Sequence, residues 1–485
     1  MEQPRAVLIA AAAVLAAGAV PGCPATAASH DPPSCRFDVT ASNLDRLTLD
    51  IAVDCAGTPV ARLRALEGAT TRHVTTIEDL QGRSLARDDD GWKLQDDGPR
   101  AARYRLELAA MGEAQRSHSS AMTVGGSVLA ELSSWLLLPA PLPEDAVLRL
   151  TVRTAPGIGF ASALAERDGA LELPAASLRS SGYTVFGRFS ETTLTPPATG
   201  ALDPAGGLRN NAKARLRLVT LDQKLDLPAP LLVGWVDDTV GAIARFWHGF
   251  PVDRLLLVAA PQPGRSGVPY GRVIAGGGAS LMVQVGEHAT REALYDDWVL
   301  IHEFVHLGSP FVARSPWMTE GFATYFEPII RYRAGRRSAA SLWAEFARDM
   351  PRGKAAIETE GLAYSRRGMY WGGAILMLLI DLEMRERSAG RRGLEDCLRA
   401  ILADGGNATR IVGADWMIEA CDRADGNDTM RRMARRYAWS KAPVDLDDIW
   451  RRLGVVRENG GVRLDDGAPF SWLRRAIESG GPAPG

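Results

Sequence analysis

The sequence predicts an α+β chain of several domains: a β-rich part over residues 29–228, a mixed part over 229–390 and a helical region over 391–485. Three observations carry this. Short apolar or alternating runs, separated by polar and Gly/Pro-rich turns, dominate the first part. Strand-like and helix-like runs alternate in the second, around a cluster of histidine and glutamate. Apolar residues then recur with a helical period to the end. With 485 residues, 46% hydrophobic and 24% charged, the chain has material for several cores, and the length predicts roughly two to four domains. A net charge of −2 gives no electrostatic case for nucleic acid or an anionic membrane. The basic run at residues 431–436 reads as a solvated helix face.

Residues 1–28 read as a signal peptide. Arg5 supplies the positive start, residues 6–20 are uninterruptedly apolar, and Ala25-Thr26-Ala27 offers a cleavage site. The apolar run is too short for a membrane span. Val20-Pro21-Gly22-Cys23 offers a lipid anchor at Cys23 as the alternative, although proline fits that pattern poorly. The expectation is an exported protein, periplasmic or secreted, with a lipoprotein as the minor variant. Of five cysteines, Cys23 belongs to this segment, and the other four pair most economically as Cys35–Cys55 and Cys397–Cys421. Disulfides fit an oxidising compartment, and no C-x-x-C spacing argues for a second metal site.

In the β-rich part, residues 46–53, 104–108, 128–138 and 147–152 read as strands. Turns such as Asp88-Asp89-Asp90-Gly91 and Thr154-Ala155-Pro156-Gly157 separate them, which suggests a sandwich or saddle-shaped sheet. Residues 196–211 read as a loop, and nothing in this half carries evident chemistry. In the mixed part, residues 238–246 predict a helix, 254–260 a buried strand, 279–285 an alternating strand and 291–307 a helix. Gly276-Gly277-Gly278 makes either a close backbone approach or a flexible turn.

The chemistry lies in His302-Glu303-Phe304-Val305-His306, an H-E-x-x-H pattern. On a helix the two histidines stand one turn apart, with β-carbons about 6 Å from each other. Both then reach one metal at roughly 2.0–2.1 Å, the usual zinc–nitrogen distance. Glu303 lies about 100° round the helix, off the ligand axis but within reach of a water that needs a general base. The helix is otherwise apolar (Val299, Leu300, Ile301, Phe304, Val305, Leu307), an environment where two histidines and a carboxylate need a strong reason. The chain has only 7 histidines, and two fall here. Ser315-Pro316 opens the next helix, and Pro328 is expected to bend it. That helix carries Glu320 and Glu327 on nearly one face, so spacing alone does not choose a third ligand.

A family resemblance chooses. Trp317-Met318-Thr319-Glu320-Gly321-Phe322-Ala323 resembles the glutamate helix of gluzincin metallopeptidases, with a shorter gap after His306 than in the large zinc aminopeptidases. Tyr370-Trp371-Gly372-Gly373-Ala374 resembles the Y-x-x-G-A helix of the glycyl-aminopeptidase family. The likeness covers residues 229–453 or so. It implies a thermolysin-like α+β catalytic domain over 229–390, with the N-terminal β-sandwich or saddle walling a substrate cleft. It implies one Zn2+ per chain on His302, His306 and Glu320, with water in the open position. Glu303 then serves as general base, and Tyr370 donates to the tetrahedral oxyanion, with Tyr364 as the spare. The residue two after the tyrosine, often basic in the family, is Gly372 here. The substrate implied is a peptide or protein.

Helices expected at 394–401, 416–424, 430–438 and 447–453 would pack behind the site, and the tail is too short for the PDZ module many relatives carry. Relatives hold a free α-amine with an acidic residue in the strand before the metal helix. The stretch Gly276-Gly277-Gly278-Ala279-Ser280-Leu281-Met282 has no carboxylate until Glu287, so no requirement for a free N-terminus is expected. A non-peptidase zinc hydrolase, or a metal-stabilised binding protein without activity, remains as an alternative class.

Overall fold

The run SCRFDVTAS at Ser34–Ser42 buries Cys35, Phe37, Val39 and Ala41 and turns the alternate residues outward, the period of a strand with one covered face. It lies inside a seven-stranded sheet, antiparallel to Thr48–Asp54 and parallel to Val147–Thr154. Ala101–Glu107 follows on the far side of Thr48–Asp54. Two four-stranded sheets complete the β-rich part. The computed structural model describes residues 34–95, 99–115, 120–178, 180–197, 214–365 and 368–481. The expected signal peptide with Cys23, and most of the 196–211 loop, lie outside the described residues.

The expected strand over 128–138 is broken into Ser127–Glu131, a helical turn Leu132–Trp135 and Leu138–Ala140. Ser134 sits at the break, its hydroxyl within hydrogen-bond reach of the Glu131 carbonyl at 2.7 Å and the Ser120 carbonyl at 3.0 Å, a local partner for the backbone that favours the turn. The Tyr104 hydroxyl then fixes the turn by accepting from the Leu137 amide at 3.0 Å.

A five-stranded sheet carries the rest, in the order Phe189–Leu194, Arg215–Leu221, Arg254–Gln262, Ala279–Gly286, Tyr270–Ile274. Its first two strands precede residue 228, where the domain boundary is expected, yet hydrogen-bond into the same sheet as the strands after it. Arg254–Gln262 is buried on both faces, which explains its continuous apolar run. Leu255, Leu257 and Ala259 face the helical core, while Leu256, Val258 and Ala260 pack with Leu129, Tyr183 and Val185 of the β-rich part. The glycine run is a tight backbone contact: a Cβ at Gly276 would meet the Ser180 carbonyl at 2.1 Å, and one at Gly278 the Ala163 carbonyl at 2.4 Å.

The helix expected over 291–307 is two helices, Arg291–Tyr295 and Val299–Leu307. The Asp297 carboxylate restarts it by accepting from the amides of Val299 and Leu300 at 3.0 Å, two of the donors a helix start leaves free. Pro316–Arg333 follows and runs on through Pro328. It packs closely against Trp371–Ser388, because a Cβ at Gly321 would stand 2.8 Å from the Gly373 Cα. Behind that contact the buried Arg385 guanidinium bonds Asp381 at 2.9 Å and Glu395 at 2.6 Å, and the Tyr325 hydroxyl donates to Asp381 at 2.7 Å.

The helical region contains Leu394–Ala403, Ala414–Asp425, Thr429–Tyr437 and Leu446–Leu453, close to expectation. An unforeseen hairpin, Val455–Glu458 with Gly461–Leu464, and a last helix, Ser471–Ser479, follow. Both expected disulfides are present, Cys35–Cys55 and Cys397–Cys421. Among the described residues no helix is long and apolar enough to cross a membrane.

Candidate metal centre

The Val299–Leu307 helix presents His302 and His306 to one cleft, with ring centroids 5.0 Å apart. The next helix brings Glu320 to them. Its Oε2 lies 3.2 Å from His302 Nε2 and 3.6 Å from His306 Nε2. A tetrahedral zinc with bonds of about 2.0–2.1 Å separates its ligand atoms by roughly 3.3 Å, close to both separations between Glu320 and the histidines. Two imidazoles and a carboxylate are also a donor set that suits zinc. Burial opposes ionisation of Glu320, but His306 and His302 beside it hold its carboxyl well below the usual range. Burial likewise opposes the charged form of His306, and the Glu320 carboxylate outweighs it and holds the ring above its ordinary value.

Glu327, the other candidate on that helix, is elsewhere. Its Oε1 accepts from Arg331 Nη1 at 3.0 Å in the core, and burial pushes its carboxyl up to about 8. A second acidic group, Asp226 with Glu287 and His288, is already bridged by Lys224, whose Nζ lies 2.7 Å from Asp226 and 3.5 Å from Glu287. Glu287 also accepts from the Gly264 amide at 3.0 Å.

Glu303 projects beside the histidines onto a strand that the sequence reading did not find, Tyr270–Ile274. This strand, and not Ala279–Gly286, is the sheet edge at the site. The Val273 amide donates to Glu303 Oε2 at 3.0 Å. Gly271 permits the approach, since a Cβ there would come within 2.7 Å of Glu303 Cγ and of Val299 Cγ1. The run Tyr-Gly-Arg-Val-Ile after the turn Ser266-Gly267-Val268-Pro269 was the available signal. Burial raises the Glu303 carboxyl above its ordinary value, against the pull of His306 and His302.

Tyr370 sits at the start of the Trp371–Ser388 helix, 42% exposed, its ring centroid 6.2 Å from that of His302. Burial, then the Glu320 and Glu303 carboxylates, push its phenol up to about 12, so it stays a hydrogen-bond donor at neutral pH. Tyr364 is 70% exposed and does not line the cleft. The cleft is about 350 Å³, with Trp298, Tyr270 and Tyr370 giving it an aromatic wall. Trp298 stands edge-on to His302 at 5.5 Å and Phe311 stacks on His306 at 5.9 Å, which fixes both imidazoles.

No family model matches the chain, and no curated protein matches it in sequence. Solved structures do match, among them aminopeptidase N-type and M1 zinc metallopeptidases. An aminopeptidase N family protein from Idiomarina loihiensis superposes with a TM-score of 0.64 at 12% identity, over 87% of this chain and 78% of its own. A mutant M1 zinc metallopeptidase from Deinococcus radiodurans, bound to a Tyr-Ser-Ala substrate, gives 0.51 at 15% identity, over 85% of this chain and 95% of its own. At these identities the likeness establishes the fold: a multidomain α+β architecture shared with zinc metallopeptidases.

Proposed function

We propose that this chain is an exported zinc-dependent metallopeptidase. The observation that carries the reading is the convergence of His302, His306 and Glu320 in one cleft, with Glu303 beside them and bonded to the strand at the end of the sheet. His302, His306 and Glu320 would hold one zinc, which when bound polarises water and the scissile carbonyl. Glu303 takes the proton of the attacking water on its carboxylate and passes it to the leaving amine. The Tyr370 hydroxyl donates to the oxyanion as it forms. An extended peptide adds to Tyr270–Ile274 by main-chain hydrogen bonds, which hold the bond to be cut beside Glu303. The disulfides Cys35–Cys55 and Cys397–Cys421 support export, since such bonds persist in oxidising compartments.

The edge strand carries no carboxylate, so we further propose that a free N-terminus is not required. The reading is tested by elemental analysis and a peptide-library digest of the purified protein. It expects close to one zinc per chain and peptide cleavage abolished by chelation and restored by zinc. Zinc retention with no cleavage of any library member would instead favour a metal-stabilised binding protein.

A further inference from the structure

A segment far along the chain from the metal ligands ties the parts of the site together. Residues 407–412 lie between the helices Leu394–Ala403 and Ala414–Asp425, which the Cys397–Cys421 bond joins. The segment returns to the site and bonds it at several points. The Ala408 amide donates to the Leu307 carbonyl at 3.1 Å, one of the acceptors that the end of the His302–His306 helix leaves free. The Ala408 carbonyl accepts from the Gly276 amide at 3.2 Å, just beyond the edge strand that bonds Glu303. The carbonyls of Arg410 and Val412 then accept from the amides of Phe311 at 3.0 Å and Ala313 at 2.8 Å, so that Ile411–Val412 pairs in parallel with Phe311–Val312.

Phe311 is the link to the metal. Its ring stacks on His306 at 5.9 Å, while His306 Nδ1 finds no hydrogen-bond partner among the described residues. A metal-bound histidine is normally oriented by a hydrogen bond on its second nitrogen. At His306 the protein orients the ring by packing against Phe311 instead. The next residue, Val312, has its amide on the Thr319 hydroxyl at 3.2 Å, beside Glu320 in the chain. The Phe311–Val312 strand therefore bears on one ligand from each helix, and the 407–412 segment holds that strand. Asn407 shapes the segment. Its Oδ1 accepts from the Thr409 amide at 3.0 Å and the Thr409 hydroxyl at 2.7 Å, a turn closed by the side chain. Its Nδ2 donates to the Pro251 carbonyl at 3.3 Å.

We infer that residues 407–412 are a strut that positions the metal centre, with Asn407 as a positioning residue, so that zinc affinity depends on groups that touch neither metal nor substrate. This rests on the zinc part of the reading above and not on cleavage. Zinc affinity is read by competition with a chelator, beside the melting temperature of the same proteins. Asn407→Ala should weaken zinc about tenfold, the low end of the effect of groups behind a metal ligand. Asn407→Asp, which keeps the Oδ1 acceptor, should stay nearer to native. Cys397→Ala with Cys421→Ala should weaken zinc as well. Cys35→Ala with Cys55→Ala, which cuts the disulfide of the β-rich part, should lower the melting temperature and leave zinc affinity unchanged. Cobalt(II) in place of zinc should show altered visible bands in Asn407→Ala, because these follow coordination geometry.

Native zinc affinity in Asn407→Ala overturns the inference. An equal loss of zinc in the two cysteine-pair variants does the same, since stability alone would then explain it. If a cysteine-pair variant fails to fold, Asn407→Ala against Asn407→Asp decides. Zinc held tightly by native protein and weakly by Asn407→Ala, with no cleavage by either, sinks the peptidase reading and leaves the strut standing. Native protein that binds no zinc sinks the metal reading. Amide hydrogen exchange at Phe311 and Ala313 then decides, faster in Asn407→Ala if the strut holds them and unchanged if it does not.

Discussion

The two halves of the Pro316–Arg333 helix carry a glutamate each, on nearly the same face, and meet opposite surroundings. In the first half Glu320 opens onto the cleft, where two imidazoles stabilise its charge. In the second half Glu327 is 3% exposed and bonded to Arg331, and burial there raises its carboxyl to about 8. Sequence spacing treats them alike. What separates them is the partner, His302 and His306 from the neighbouring helix against Arg331 one turn on in the same helix, and whether water reaches the group.

The largest expected effect breaks the comparison outright. Glu320→Ala should lose most of its zinc, whereas Glu327→Ala should keep close to one equivalent per folded chain, read by elemental analysis after gel filtration. Zinc lost from the second and kept by the first would exchange their roles. Next comes stability. Glu327→Ala removes a buried hydrogen bond to Arg331, which keeps Asp296 at 3.3 Å and Glu345 at 3.8 Å, and should cost about 1–3 kcal/mol of unfolding free energy, measured by denaturant titration.

The pH dependence of stability sharpens the same contrast. Glu327 is raised from an ordinary 4.5 to about 8 in the folded chain, so the native state binds more protons than the unfolded one between those values. Its contribution to stability is therefore fully present below about 4.5 and lost as pH rises through about 8, at up to about 1.4 kcal/mol per pH unit. Glu327→Gln should flatten that slope in denaturation midpoints taken between pH 5 and 8. An unchanged slope would assign the dependence to other groups. The smallest effect lies in the cleft: an N-acetylated peptide and its free form should be cleaved at rates within about threefold, since an unanchored ammonium adds little there. Loss of cleavage on acetylation would mean that a carboxylate outside Tyr270–Ile274 holds the amine.

The parts of the site on one helix were legible because helical spacing puts His302, Glu303 and His306 together without help from the rest of the fold. Glu320 came from the likeness of its flanking residues, not from geometry. The edge strand was missed because Tyr270–Ile274 is short and holds a glycine, and a strand pattern ignores a residue whose use is to let Glu303 approach. The break at residues 296–298 was hidden for a similar reason: Asp297 reads as a polar residue in a helix until its carboxylate is seen on two amides. Arg272 with Glu131 was illegible because the pair joins two sheets, 141 positions apart in the chain. In the β-rich part the strands over 46–53, 104–108 and 147–152 were readable from alternation, and the order of the sheets was not.

The central claim is that Glu303 moves the proton in a reaction at the His302, His306 and Glu320 site. Its most direct test is turnover and zinc content of native and Glu303→Gln protein side by side, on the best substrate from the library. The predicted result is close to one zinc in each and a fall in kcat of roughly 10²–10⁴ in the variant. Near-normal turnover in a zinc-loaded Glu303→Gln protein would contradict it.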